Sequence, residues 1–149
     1  GRPDMALFKF TKAILNNDPI DVYNYGDMKR DFTYIDDLVK AIRLLIDTVP
    51  SNFTGALCDS DSLSPVAPFR VVNIGNSNSV QLTDFIDAIE VATGKKAKKN
   101  LMPMQAGDVP ATWADASLLK ALTGYSPETT VREGVSKFVE WYCSFYGVR

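Results

Sequence analysis

Residues 26–42 read GDMKRDFTYIDDLVKAI, and this stretch decides the fold. The Gly26-Asp27 turn feeds a short β-like run from Arg30 to Ile35. Asp36 then caps a helix carrying Leu38, Ala41, Ile42, Leu45 and Ile46 at helical spacing, and Pro50 stops it. Arg30 stands at the mouth of the strand. Its planar fork of donors suits two phosphate oxygens at once. The competing reading is an exposed ion pair with Asp27 or Asp31, worth little to stability.

Working outward, the same alternation of strand and helix continues. Pro3 and Asp4 suit a first helical turn, and Phe8, Thr11, Ile14 and Leu15 share one face of a helix reaching about Asn17. Ile20 to Asn24 alternates as a strand, and Tyr25-Gly26-Asp27 turns the chain. Residues 51–68 are rich in Ser, Asp and Pro, without a period, and read as a mobile insertion. Phe69 to Ile74 is a nearly continuous apolar run, the pattern of a parallel strand buried on both faces. Gly75 to Asn78 is a turn, and Leu82 to Thr93 a helix ended by Gly94. Lys98 to Met102 reads as a strand and Thr112 to Ala114 as a short extended piece. Asp115 to Leu122 reads as a helix ended near Gly124. Thr130 and Glu133 form a capping box for a last helix, Val131 to about Tyr146. The class is α/β. No linker divides residues 1–149, which read as one segment.

The 149 residues suffice for a real core, with 46% apolar and 23% charged residues. A net charge of -2 gives no electrostatic case for nucleic acid. No apolar run approaches the roughly 20 residues of a membrane helix. Cys58 and Cys143 fit no metal spacing, and the absence of histidine removes the commonest metal ligand and general base. A reduced, cytoplasmic compartment and no metal are expected. The chain opens Gly1-Arg2-Pro3-Asp4, already at a helix entrance, so a segment of a longer protein is expected.

Candidate chemistry is sparse. Tyr25 and Lys29 match Tyr-x-x-x-Lys, but Gly26 and Asp27 lie between them, and a catalytic pair needs one helical turn. The pair is read as part of a turn. No G-x-G-x-x-G occurs; Gly75 alone cannot form a dinucleotide loop. Lys95, Lys96, Lys98 and Lys99 read as solvated surface. Asp108, between Gly107 and Pro110, lies on a loop; it could cap a turn or accept hydrogen bonds from ribose hydroxyls.

Taken together, five stretches carry a resemblance. Gly1 to Ala6, the Arg30-Asp-Phe-Thr-Tyr-Ile-Asp-Asp37 core, Val72 to Gly75, Gly107-Asp108 and Trp113-Ala-Asp115 occur in this order in extended short-chain dehydrogenase/reductase enzymes acting on nucleotide sugars. The first stretch and Met102 to Asp108 most resemble UDP-glucuronate 4-epimerases. The resemblance covers almost the whole chain, but only the C-terminal part of such an enzyme.

That resemblance implies a substrate-binding subdomain with elements that pack on a Rossmann domain absent here. NAD, its glycine-rich loop and the catalytic Tyr-x-x-x-Lys would belong to the upstream half. It implies a UDP-sugar partner, no nucleic acid and no membrane. Arg30 would contact the diphosphate, Asp108 the uridine ribose, and Asp21, Val22 and Tyr23 the uracil through their strand. Arg2 would lie near the sugar carboxylate, and Lys9 would face the phosphates. Gln105 departs from the family pattern, which often has a second phosphate arginine there; it keeps hydrogen bonding without the charge. The whole enzyme would invert C4 by transient oxidation with NAD. This chain alone would be inactive, with no catalytic residue. The alternatives are another epimerase, dehydratase or decarboxylase of the family, or a non-catalytic nucleotide-sugar-binding module. The full-length enzyme would be a homodimer, and the isolated chain would self-associate.

Overall fold

The computed structural model describes residues 4–50 and 55–148. The element order is α1 (Ala6–Asn16), β1 (Pro19–Val22), a 3-10 turn (Tyr23–Gly26), β2 (Lys29–Asp31), α2 (Ile35–Ile46), β3 (Ser79–Gln81), α3 (Leu82–Thr93), β4 (Lys98–Leu101), α4 (Ser117–Thr123) and α5 (Val131–Tyr146). These elements form two compact units assembled from interleaved segments. The first comprises 1–30, 80–112 and 130–149; the second comprises 31–79 and 113–129.

In the first unit α3 packs against both α1 and α5. The apolar spacing read from the sequence supplies this core: Ile14 and Leu15 from α1, Phe85, Ile86 and Ile89 from α3, Val135, Val139 and Tyr142 from α5. Phe8 meets Phe138 edge-on at 4.9 Å. β1 buries Ile20 and Val22 and pairs in parallel with β4, Pro19 opposite Lys98 through Val22 opposite Leu101. Glu90, buried on α3, fixes the entry to β4. It accepts from the Ala97 N–H at 3.1 Å, pairs with Lys96, and lies 3.3 Å from Lys99 Nζ. Lys95 Nζ donates to the Leu15 carbonyl at 2.6 Å, a cation at the C-terminal end of α1. The lysine run read as solvated surface therefore has a structural use, although Lys96 remains largely exposed.

The second unit centres on Ala41, Ala116 and Leu119, packed by Leu45, Val72, Ile74 and Tyr125. Asp37 anchors α2: Oδ1 accepts from the Tyr125 hydroxyl at 2.8 Å, and Oδ2 from the Thr129 N–H at 2.9 Å. Burial pushes the Tyr125 phenol up to about 12, and the Asp37 carboxylate adds to the shift. Burial alone would raise the Asp37 carboxyl; its hydrogen bonds outweigh this and hold it below the ordinary range.

The last helix and its capping box form as the sequence indicates: Thr130 Oγ1 accepts from the Glu133 N–H, and the Glu133 carboxylate accepts from the Thr130 N–H. Several expectations need correction: β1 ends at Val22 and not at Asn24, and β2 is Lys29–Asp31 and not Arg30 to Ile35. Residues 69–74 form no strand. Val72 and Ile74 turn to the core while Phe69 and Val71 are exposed, and the backbone bonds go to the neighbouring loop, Val71 to Ser62 Oγ and Phe69 to Ser64. A strand buried on both faces needs flanking strands and a second layer, and the described residues offer neither. Asp36 is not the cap of α2; Tyr34 holds that position, and Asp36 lies in the first turn, where a negative charge suits the helix dipole. Part of the segment read as an insertion, 51–68, lies outside the described residues; in the rest, Asp61 receives Arg70 through two hydrogen bonds of 2.9 and 3.1 Å and the amides of Leu57 and Leu63.

Candidate nucleotide-anchoring site

The site is built where the chain leaves β1. Val22 is buried, and its carbonyl accepts from the Met102 N–H at 3.0 Å, while the Met102 carbonyl accepts from the Tyr25 N–H at 3.0 Å. Between them Asn24, Tyr25 and Gly26 are all left-handed, with φ of 48°, 53° and 89°. This conformation is costly for a tyrosine. Gly26 is favoured by its φ, and a Cβ there would crowd Thr83 Cγ2 at 3.2 Å. The turn delivers β2 alongside residues 110–112: the Lys29 N–H donates to the Pro110 carbonyl at 2.8 Å, and the Thr112 N–H to the Lys29 carbonyl at 3.2 Å.

This pairing brings Arg30 to Asp108. Nη2 lies 3.7 Å from Oδ1, with the side chains 30% and 40% exposed. Nη1 donates to the Lys29 carbonyl at 2.8 Å, which steadies the guanidinium plane. Asp108 sits on a turn closed by its own N–H to the Gln105 carbonyl at 3.1 Å, with Gly107 at φ 86°. A half-exposed pair at this distance contributes only about 0–1 kcal/mol. It yields readily to a stronger partner, and phosphate oxygens are such a partner for arginine.

The candidate residues fall into groups. Arg30 and Asp108 are together, and Gln105, exposed, shares the Asp108 turn. Asp21, Val22 and Tyr23 lead into the same turn system, Val22 presenting only backbone. Lys9 is exposed on α1, and among the described residues no hydrogen bond or ion pair links it to Arg30 or Asp108. Arg2 lies outside the described residues. Asn100 was not singled out in the sequence; its Nδ2 donates to Asp21 Oδ1 at 2.8 Å across the β1–β4 pair. Only the strand register reveals it.

The side chains gathered here suit hydrogen bonding and ion pairing with a ligand. Tyr25 lies in the 3-10 turn and Lys29 in β2, so they share no helical turn and form no proton-transfer pair. Gly75, the glycine nearest a strand-like run, does not make a dinucleotide loop. A dinucleotide loop needs glycines that leave the backbone open to pyrophosphate. Gly75 instead lies so close to its own chain that a Cβ would fall 2.5 Å from Ala114 Cβ. Among the described residues no group of three His, Cys, Asp or Glu could hold a metal, and no helix is long and apolar enough to cross a membrane.

Comparison with known proteins gives the family context. The model of the GDP-mannose 4,6 dehydratase family matches residues 5–138. A probable UDP-glucuronate 4-epimerase of Rhizobium meliloti is 53% identical over 98% of this chain and 43% of its own. Protein CapI of Staphylococcus aureus is 52% identical over 98% of this chain and 44% of its own. The crystal structure of UDP-glucuronic acid 4-epimerase from Bacillus cereus, in complex with UDP-glucuronic acid and NAD, superposes with a TM-score of 0.78 at 30% identity, covering 97% of this chain and 41% of that one. The chain thus spans less than half the length of each. The fold is that of the C-terminal part of extended short-chain dehydrogenase/reductase epimerases.

Proposed function

Because the chain belongs to the GDP-mannose 4,6 dehydratase family, we propose that it is the UDP-sugar-binding C-terminal part of an NAD-dependent UDP-glucuronate 4-epimerase. The observation that carries the reading is the approach of Arg30 to Asp108 on adjoining segments. In this role the guanidinium takes the diphosphate, and Asp108 exchanges the guanidinium for ribose hydroxyls. Asp21, Val22 and Tyr23 border the base, and Gln105 hydrogen-bonds beside the phosphates without adding charge. Arg2 and Lys9 are assigned to the sugar and phosphate ends. These residues anchor and orient the substrate. The redox step and NAD belong to an upstream half, so this chain is inactive alone. The complete enzyme acts in the cytoplasm as a homodimer.

A second observation supports incompleteness. Ile35, Val39, Ile42, Ile46 and Val49 line one face of α2 and its exit at helical spacing, all between 47% and 79% exposed. With Phe69 and Val71 exposed in the same unit, this is the surface that an upstream Rossmann half would cover.

Calorimetric titration with UDP, UDP-glucuronate and UDP-glucose tests the reading. Arg30→Ala is expected to weaken UDP about 10- to 100-fold, the scale of charged hydrogen bonds worth about 1.5–3 kcal/mol. Glucuronate is expected to bind more tightly than glucose. UDP binding unaffected by Arg30→Ala would overturn the anchor role.

A further inference from the structure

We infer that Asp31 is a positioning residue for Arg30: its carboxylate fixes the far end of β2 so that the guanidinium is held ready for an anion. The inference rests on the nucleotide-anchoring reading of Arg30. β2 has only three residues and pairs with β3, which is equally short, so ties beyond the ladder matter to its placement. Its first residue is secured by the Pro110 and Thr112 hydrogen bonds. Its last is secured through a side chain. Asp31 Oδ2 alone accepts the Ser77 N–H at 3.0 Å and the Ala114 N–H at 3.1 Å.

The surroundings are built for this tie. A Cβ on Gly75 would stand 3.1 Å from the same oxygen and 2.5 Å from Ala114 Cβ, so the 75–77 turn approaches as closely as glycine allows. Ser77 adopts a left-handed φ of 59°, and its Oγ accepts from the Ala116 N–H at 3.2 Å. Asp31, Gly75 and Ala114 come from three separate stretches, and the tie gives those stretches a shared physical purpose.

Electrostatics sharpens the inference. A carboxylate next in sequence to an anion-binding arginine repels the anion. Its presence there is explained by acceptor geometry and not by charge. Asparagine keeps one oxygen able to accept both amides while removing the repulsion. Alanine removes the tie.

The test uses wild type, Asp31→Asn and Asp31→Ala, with Asp31→Ser, too short to reach both amides, in case the alanine variant does not fold. Calorimetry with UDP and NMR titration with uridine separate phosphate binding from nucleoside binding. Asp31→Asn is expected to bind UDP within twofold of wild type or more tightly. Asp31→Ala is expected to lose at least tenfold for UDP and less than threefold for uridine, with no added loss on an Arg30→Ala background. Equal losses for uridine, additivity with Arg30→Ala, or an asparagine variant as weak as alanine would each overturn the inference. Amide hydrogen exchange on the same samples needs no ligand. Asp31→Ala should speed exchange at Ser77, Ala114 and Thr112 at least tenfold. If wild type fails to bind UDP, the anchoring reading fails by itself. If Thr112 stays protected in Asp31→Ala, the tie does not reach β2 and the positioning role is refuted whether or not UDP binds.

Discussion

Glu90 is a buried carboxylate whose removal should cost a calculable amount. Glu90→Ala strands the Ala97 N–H, which now donates to Oε1 at 3.1 Å. Leaving that partly buried donor unpaired costs about 1–3 kcal/mol. The lost pair with Lys96 adds little, because Lys96 is 87% exposed and regains water. The total is therefore about 1–3 kcal/mol. Glu90→Gln keeps the acceptor for Ala97 and loses only the charge, so about 1 kcal/mol is expected. The two variants also differ in pH response. Burial raises the Glu90 carboxyl, but Lys96, the Ala97 amide and Lys99 outweigh it and hold the group below its ordinary 4.5. A carboxyl lowered by folding stabilises above its unfolded value, and this contribution is lost as pH falls through the folded value. Urea denaturation at pH 7 and pH 3 should therefore show the gap between wild type and Glu90→Gln narrowing at pH 3. A glutamine variant as unstable as alanine at pH 7, or a gap that does not narrow at pH 3, would refute the reasoning.

The remaining predictions are more local. Thr11→Val removes a fully buried hydroxyl that has no hydrogen bond among the described residues, and should raise stability by about 1 kcal/mol, a Tm gain of about 2–4 °C in a thermal melt. Gly75→Ala drives a Cβ into Ala114 and should cost about 1–3 kcal/mol by denaturant titration, with Ala114→Gly restoring much of it. Val39→Lys with Ile46→Lys should reduce self-association of the isolated chain in analytical ultracentrifugation while leaving its Tm nearly unchanged, since both side chains are more than half exposed.

Legibility in the sequence followed the range of the interactions. α3 and α5 were readable because their determinants are adjacent in the chain: Gly94 at φ 67° ends one, and Thr130 with Glu133 opens the other. The alternation carries β1 to Asn24, two residues past its end at Val22, because nothing local announces the turn at Tyr23–Gly26, whose Tyr25 amide donates to the distant Met102 carbonyl. The site was half legible. Arg30 stood out by its residue type and place, but its approach to Asp108 depends on β2 lying beside residues 110–112, which no spacing encodes. Asp31 and Asp37 looked like ordinary charges flanking a strand and a helix. Their partners, Ser77, Ala114, Tyr125 and Thr129, are distant in sequence.

The instructive disagreement is at Phe69 to Ile74. The residue pattern is that of a strand covered on both faces, yet the segment forms no ladder, and half of it is exposed. Pattern and structure are reconciled if the pattern specifies contacts to a surface beyond the 149 residues. The exposed face of α2, in the same unit, has the same character: apolar at helical spacing opposite the buried Ala41. Local propensity alone would not keep apolar residues on both, since each exposed one favours association and aggregation. The demand for a cover over apolar residues is thus written twice in one unit, independently of any motif. It predicts that covering these two surfaces, and not repairing the internal core, is what would make residues 69–74 pair as a strand.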